Sequence, residues 1–193
     1  MMATRCRMVW CWDWLRRMDD RMKQEPPLVC DASVVLNLGL RGGLTSLVLK
    51  IKATRPLVVT AEVEAELQGD DPGFYGKFLS DHFQRVREPL PCLPKVEQAS
   101  LPDGLDAGEM SVLALCLERQ WVPSIDERLG RQVARALGMM PVGTLGLLQM
   151  ACSQNWMSAD ECLDAIQKMR ANGFYCPKVL VNDDFADYFA RMV

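Results

Sequence analysis

From residue 28 onward, short apolar runs alternate with longer stretches whose apolar positions recur every three to four residues. The runs LVCDASVV, PLVVT, FQRVREPLP and WVPSID read as strands, and MPVG as a further short apolar segment. Between them, LGLRGGLTSLVLKIKA, AEVEAELQG, AGEMSVLALCLERQ, ERLGRQVARALG and TLGLLQMACSQN carry the spacing of half-buried helices. Such alternation predicts βαβ units and an α/β fold with a parallel sheet covered by helices on both faces. The tail predicts two more helices: SADECLDAIQKMRANG, with Ser158 as cap and Gly173 as stop, and DDFADYFARM. Ahead of the first strand, Trp10, Trp14, Met18 and Met22 stand at i, i+4 spacing, and Pro26-Pro27 ends any helix there. The expected organisation is a helical extension over 1–27 followed by one domain over 28–193.

Composition narrows the function classes. A chain of 193 residues with 49% hydrophobic content has enough apolar surface for one core. With 22 basic and 25 acidic side chains the net charge is -3, so any contact with nucleic acid must come from a local patch. Eight cysteines, no CxxC pair and the single imidazole of His82 argue against structural zinc. Cys30, Cys116 and Cys152 lie inside apolar runs, where a thiol acts as a small hydrophobe, and that suits a reducing cytoplasm. The N-terminus lacks a signal-peptide cleavage pattern, and no run is long and uncharged enough to span a bilayer, so a cytoplasmic protein with no membrane partner is expected.

Candidate chemistry gathers in the acids. Asp31 follows the first strand and Asp126 closes WVPSID, so a parallel sheet brings both to one edge. Glu66 lies beside the apolar face marked by Val63 and Leu67, and Glu109 opens the helix GEMSVLALCLE. Carboxylates meeting there repel unless a hard cation neutralises them, and Mg²⁺ and Mn²⁺ prefer such oxygen-rich sets. Each acid also has a plainer reading. Asp106 and Glu109 form a D-x-x-E capping box, Asp126 can cap the helix starting at Glu127, and Glu66 can be a solvated helix residue.

Taken in order, DAS, VVTAEVEAEL, LDAGEMSVLALCLERQ, VPSIDERLGRQVARALGMMPVGTLGLLQMA and IQKMRANGFYCPKVLVNDDF resemble a PIN-domain protein, of the VapC-like branch with LDxGE and GTLG motifs. The resemblance spans residues 28 to 190. It implies a three-layer α/β/α fold with C-terminal helices and a Mg²⁺- or Mn²⁺-dependent ribonuclease. By this likeness the metal carboxylates fall on Asp31, Glu66, Glu109 and Asp126, with Asp31 and Asp126 as direct ligands. Ser33 and Ser124 orient the aspartates or the phosphate, or serve as turn residues, and either Asp106 or Glu109 faces the metal, Glu109 being preferred. Alanine at 32, serine at 124 and Glu127 in place of a second aspartate depart from the commonest pattern without removing a metal carboxylate.

No Ser-His-Asp or Cys-His set and no phosphate-binding glycine loop competes with this reading. Arg128, Arg131 and Arg135 share one helix face at i, i+3 and i+7, either as an RNA-backbone contact or as a solvated face. The expected partners are an RNA substrate, an antitoxin protein and a second copy in a homodimer, this last prompted by TLGLLQMA and the Trp-Met stripe. A non-catalytic PIN-like binding or assembly module is the alternative.

Overall fold

The computed structural model describes residues 25–88 and 104–175. The expected N-terminal helix, the DDFADYFARM helix and most of the proposed 1–27 extension lie outside these residues. Strand β1 (Leu28–Cys30) leads through Asp31 into helix α1 (Ala32–Leu36), so the run LVCDASVV is strand only in its first three residues. The apolar residues after Asp31 are buried on a helix instead.

A π-helical turn follows at Asn37–Arg41, broken at Gly39, and α2 (Thr45–Thr54) starts only after Gly42-Gly43. One continuous helix over LGLRGGLTSLVLKIKA was expected, but the glycines let the chain fold back. Gly43 donates its N–H to the Gly39 carbonyl at 2.7 Å, and Leu44 donates to the Leu38 carbonyl at 2.9 Å.

Strand β2 (Leu57–Thr60) runs into α3 (Ala61–Asp70), where the Thr60 hydroxyl accepts the Val63 N–H. Next comes α4 (Pro72–His82), capped by the Asp71 carboxylate and started by Pro72, and then β3 (Gln84–Val86). The glycines in PGFYGKFLSDH obscure α4 in the sequence, yet Tyr75, Phe78 and Leu79 bury its inner face. Farther on lie α5 (Ala107–Arg119), β4 (Val122–Ser124), α6 (Arg128–Ala136), α7 (Thr144–Ser153) and α8 (Ala159–Ala171). Ser158 caps α8 in a full capping box, as its sequence suggested.

Among the described residues the four strands are all parallel, in the order β3-β2-β1-β4. Leu28 pairs with Leu57 on one side and Val122 on the other, Cys30 pairs with Ser124, and Val142 bridges Ser124 beyond β4. Helix α5 packs across β1, β2 and β4 with α3 and α6 beside it, while α8 packs on α7 and the π turn, giving the three-layer α/β/α sandwich. With both neighbours in place, β1 is wholly buried, which explains why it is a continuous apolar run without alternation.

Cys30, Cys116, Cys152 and Cys162 are buried free thiols, and burial pushes Cys30 up to about 12, so it stays protonated as a small hydrophobe. Helix α7 spends Leu147, Leu148, Ala151 and Cys152 on the core of its own domain. The apolar TLGLLQMA run therefore gives no reason of its own to expect a dimer. Among the described residues no helix is long and apolar enough to cross a membrane.

Candidate active site at the carboxyl edge of the sheet

The parallel register sets the ends of β1, β2 and β4 along one edge, where Asp31, Thr60 and Ser124 leave the sheet. Asp31 is 3% exposed. Its N–H donates to the Ser124 carbonyl at 2.9 Å, continuing the β1–β4 ladder by one residue, and the Ser33 hydroxyl donates to its Oδ2 at 2.8 Å. Burial raises its carboxyl from an ordinary 3.8 to about 6, with Asp106 and Glu127 adding repulsion against the hydrogen bonds from Ser33 and the Ala32 N–H.

The start of α5 brings a second carboxylate to this edge. Asp106 accepts the Glu109 N–H at 2.7 Å, and Glu109 Oε2 accepts the Asp106 N–H at 3.3 Å, closing a capping box. That arrangement uses only one Glu109 oxygen. Among the described residues Oε1 is buried with no hydrogen-bond partner, and the carboxyl is pushed up to about 7 by burial first, then by Asp106, Asp31 and Glu127. Glu66, on α3, is raised by burial and by the same neighbours, Asp106, Asp31 and Glu127. Asp106 caps the helix and adds to the field at Glu109, while Glu109 keeps one oxygen without a hydrogen-bond partner among the described residues. Close packing holds that oxygen in place. A Cβ on Gly130 of α6 would stand 2.5 Å from Glu109 Oε1, so the two helices meet only because residue 130 has no side chain.

Asp126 sits differently. The Thr144 N–H donates to its Oδ1 at 2.7 Å, while the Thr144 hydroxyl and Asn37 Nδ2 both reach Oδ2, the latter at 2.8 Å. A Cβ on Gly143 would come within 2.6 Å of Oδ1. The carboxylate is fastened between the π turn and the start of α7. It does not cap the helix after it, which begins at Arg128 with Glu127 as its N-cap. Glu127, beside it, adds its charge to the field at Asp31, Glu66 and Glu109. Ser124 is fully buried, with its side chain against the Cys30 thiol, and contributes a backbone carbonyl to Asp31.

Beside the acids opens a cleft of about 730 Å³, lined by Ser33, Asp126 and Glu127 and by Arg128, Arg131 and Arg135. The three arginines face it together, as their spacing on α6 predicted. Arg41 from the π turn and Phe174 and Tyr175 after α8 also line it, and sequence reasoning missed all three along with Asn37. Only the positions of Asn37 and Arg41, close after Asp31 in sequence, could have pointed to them.

Among the described residues no three carboxylate, imidazole or thiol donors converge closely enough to form a ready chelate. The donor set is nonetheless all oxygen, and mutual repulsion plus an orphaned buried carboxylate oxygen are what a hard divalent cation would relieve.

A parallel α/β/α sandwich with a carboxylate cluster at the carboxyl edge of its sheet and a basic cleft alongside defines a fold of nuclease type. The family model described as PIN domain matches residues 27–185, and the chain belongs to the PIN-domain family. No curated protein matches the chain.

Proposed function

We propose that this protein is a Mg²⁺- or Mn²⁺-dependent endoribonuclease, acting as the toxin of a toxin-antitoxin pair. The observation that carries the reading is the buried Glu109 Oε1, unpartnered among the described residues, its carboxyl raised by burial and by the charges of Asp106, Asp31 and Glu127, next to a cleft lined by arginines. Asp31, Glu66, Glu109 and Asp126 would hold the ion. The chemistry such an ion supplies when bound is polarisation of the scissile phosphate and a lowered pKa for the attacking water.

The chain's own residues do the rest. Ser33 keeps the Asp31 carboxylate oriented, Asn37 and Thr144 fix Asp126, and the α6 arginines draw the phosphate backbone toward the acids. With no ion bound, burial holds the Glu109 carboxyl up at about 7, so a cation seated there would favour its charged form, and the protons lost by water and gained by the leaving oxygen exchange with solvent at the open cleft. Hydrolysis then joins water oxygen to phosphorus as the P–O bond to the departing nucleoside breaks. An antitoxin that occludes the cleft and a homodimer belong to the same reading through the family likeness.

Purified protein with Mg²⁺ or Mn²⁺ should cleave a pooled RNA substrate internally, EDTA should abolish this, and Asp31→Asn and Glu109→Gln should each lower the rate by roughly 10²-fold or more. No cleavage with either ion, or full activity in both variants, would overturn the enzyme in favour of a binding module. The absence of a closed three-donor set among the described residues is what speaks for that second reading.

A further inference from the structure

Part of the cleft's lining is built from residues that the hydrolytic step does not use. Asn172, just past α8, donates its Nδ2 to the Arg41 carbonyl at 3.1 Å and to the Lys168 carbonyl at 3.0 Å, tying the end of α8 to the π turn. Gly173, at φ +92°, turns the chain there, and the Phe174 N–H returns to the Met169 carbonyl at 2.9 Å. Phe174 packs against the core as an anchor. Tyr175 lines the cleft and is 82% exposed, an aromatic ring that the described residues leave open.

Four arginines share that cleft, Arg41, Arg128, Arg131 and Arg135, against two acids, Asp126 and Glu127, in a chain whose net charge is -3. Among the described residues none of the four forms an ion pair, and Arg131 Nε is buried without a hydrogen-bond partner. Arg41 is oriented by Asn37 Oδ1 at 3.4 Å, and the same Asn37 holds Asp126 at 2.8 Å, so one side chain links the basic wall to the acid edge. From Arg128 to Arg135 the helix rises about 10 Å, room for two to three phosphates of a single strand.

Cations unpaired among the described residues, in a row beside an exposed ring, fit a polyanion that carries flat, exposed bases. Resting on the nuclease reading for its substrate class, we infer that Tyr175 is a stacking platform for an unpaired base of single-stranded RNA. Arg41 and the α6 arginines grip the flanking phosphates and lead the strand toward Asp31 and Glu109. A duplex keeps its bases stacked inside and cannot present one to the ring, so the platform selects unpaired over paired RNA.

The test is binding without chemistry. In EDTA, full-length protein is titrated by fluorescence anisotropy with a labelled single-stranded RNA octamer, the same octamer carrying an abasic central nucleotide, and the corresponding duplex. Wild type should prefer the intact single strand, and Tyr175→Ala should weaken it roughly 10-fold while leaving the abasic strand unchanged. Tyr175→Trp should restore affinity, and Arg41→Ala should weaken all three probes and reduce the salt slope by about one ion. Tyr175 is exposed, so equal melting temperatures are expected for its variants and would confirm intact folding. Equal binding of intact and abasic strands by wild type, or an unchanged octamer affinity in Tyr175→Ala, overturns the platform. Because no metal is present, stacking without any cleavage in the metal assay would sink the nuclease reading alone, and cleavage indifferent to Tyr175 would sink the platform alone.

Discussion

Replacing Asp31 by asparagine should stabilise the metal-free protein, and the gain should depend on pH. The folded state raises the Asp31 carboxyl from 3.8 to about 6, chiefly through burial. At 1.36 kcal/mol per pKa unit, ionising it in the fold at pH 8 costs about 3 kcal/mol relative to the unfolded chain. The sign follows from proton binding: between about pH 4 and 6.5 the native state holds a proton that the unfolded state has lost, so stability falls as pH rises through that window and levels off above it. Asparagine removes the charge and still offers Ser33 an acceptor, so roughly 1–3 kcal/mol should be recovered at pH 8, or about 2–10 °C in Tm for a domain of this size. At pH 4.5 the two proteins should melt within about 3 °C of each other. Differential scanning fluorimetry in EDTA across this range measures both arms. A lower Tm for Asp31→Asn at pH 8, or a gap that does not change with pH, would refute the argument that repulsion and burial, rather than hydrogen bonding, dominate at this edge.

Two further outcomes follow from how the acids are seated. An alanine at residue 130, Gly130→Ala, would normally favour a helix by about 1 kcal/mol, yet here its Cβ meets Glu109 Oε1 at 2.5 Å and Ile125 Cγ2 at 2.9 Å. A net loss of about 1–3 kcal/mol in urea denaturation is expected, together with lowered cleavage, and a stabilised variant would contradict the contact. Thr144→Val keeps the shape of a fully buried side chain while deleting the hydroxyl that donates to Asp126. It should cost about 1–3 kcal/mol by the same method, and an unchanged midpoint would show that the bond carries no net stability.

Much of this edge was legible in the chain because parallel topology alone carries a residue after β1 and a residue after β4 to the same side. Val63 and Leu67 likewise announced which side of α3 would be buried, and D-x-x-E announced the capping box. Other features turn on distances that periodicity does not encode. The helix over Ala32–Leu36 hid inside an apolar run because a fully buried strand and a buried helix share the same continuous hydrophobicity. The break at Gly39 to Gly43 was equally hidden, since a glycine within a helical pattern signals only a weak penalty until neighbouring elements close on it. Asn37, Arg41 and Tyr175 became functional candidates only through tertiary packing: Asn37 by meeting Asp126 across 89 residues, Arg41 by meeting Asn172 across 131, and Tyr175 by what the end of α8 leaves uncovered.

The two strand-end aspartates, alike in the sequence, should answer the same substitution with opposite signs. A carboxylate offers about four acceptor positions, and Asp126 already fills three with the Thr144 N–H, the Thr144 hydroxyl and Asn37 Nδ2. In Asp126→Asn one oxygen becomes an NH₂, and either rotamer turns it toward a donor: the Thr144 N–H on one side, the Asn37 amide on the other. One or two hydrogen bonds are then replaced by opposed donors, at a cost of about 1–4 kcal/mol. Asp31 has no such crowd of donors and suffers instead from burial and like charge, so its amide relieves more than it removes. Melting both variants side by side at pH 8 in EDTA should therefore show Asp31→Asn above wild type and Asp126→Asn below it. Two shifts of the same sign would break the distinction between an aspartate held by donors and one strained by its neighbours. Loss of cleavage in Asp126→Asn would in any case report partly on the fold, which is why Asp31 and Glu109 are the positions at which catalysis should be judged.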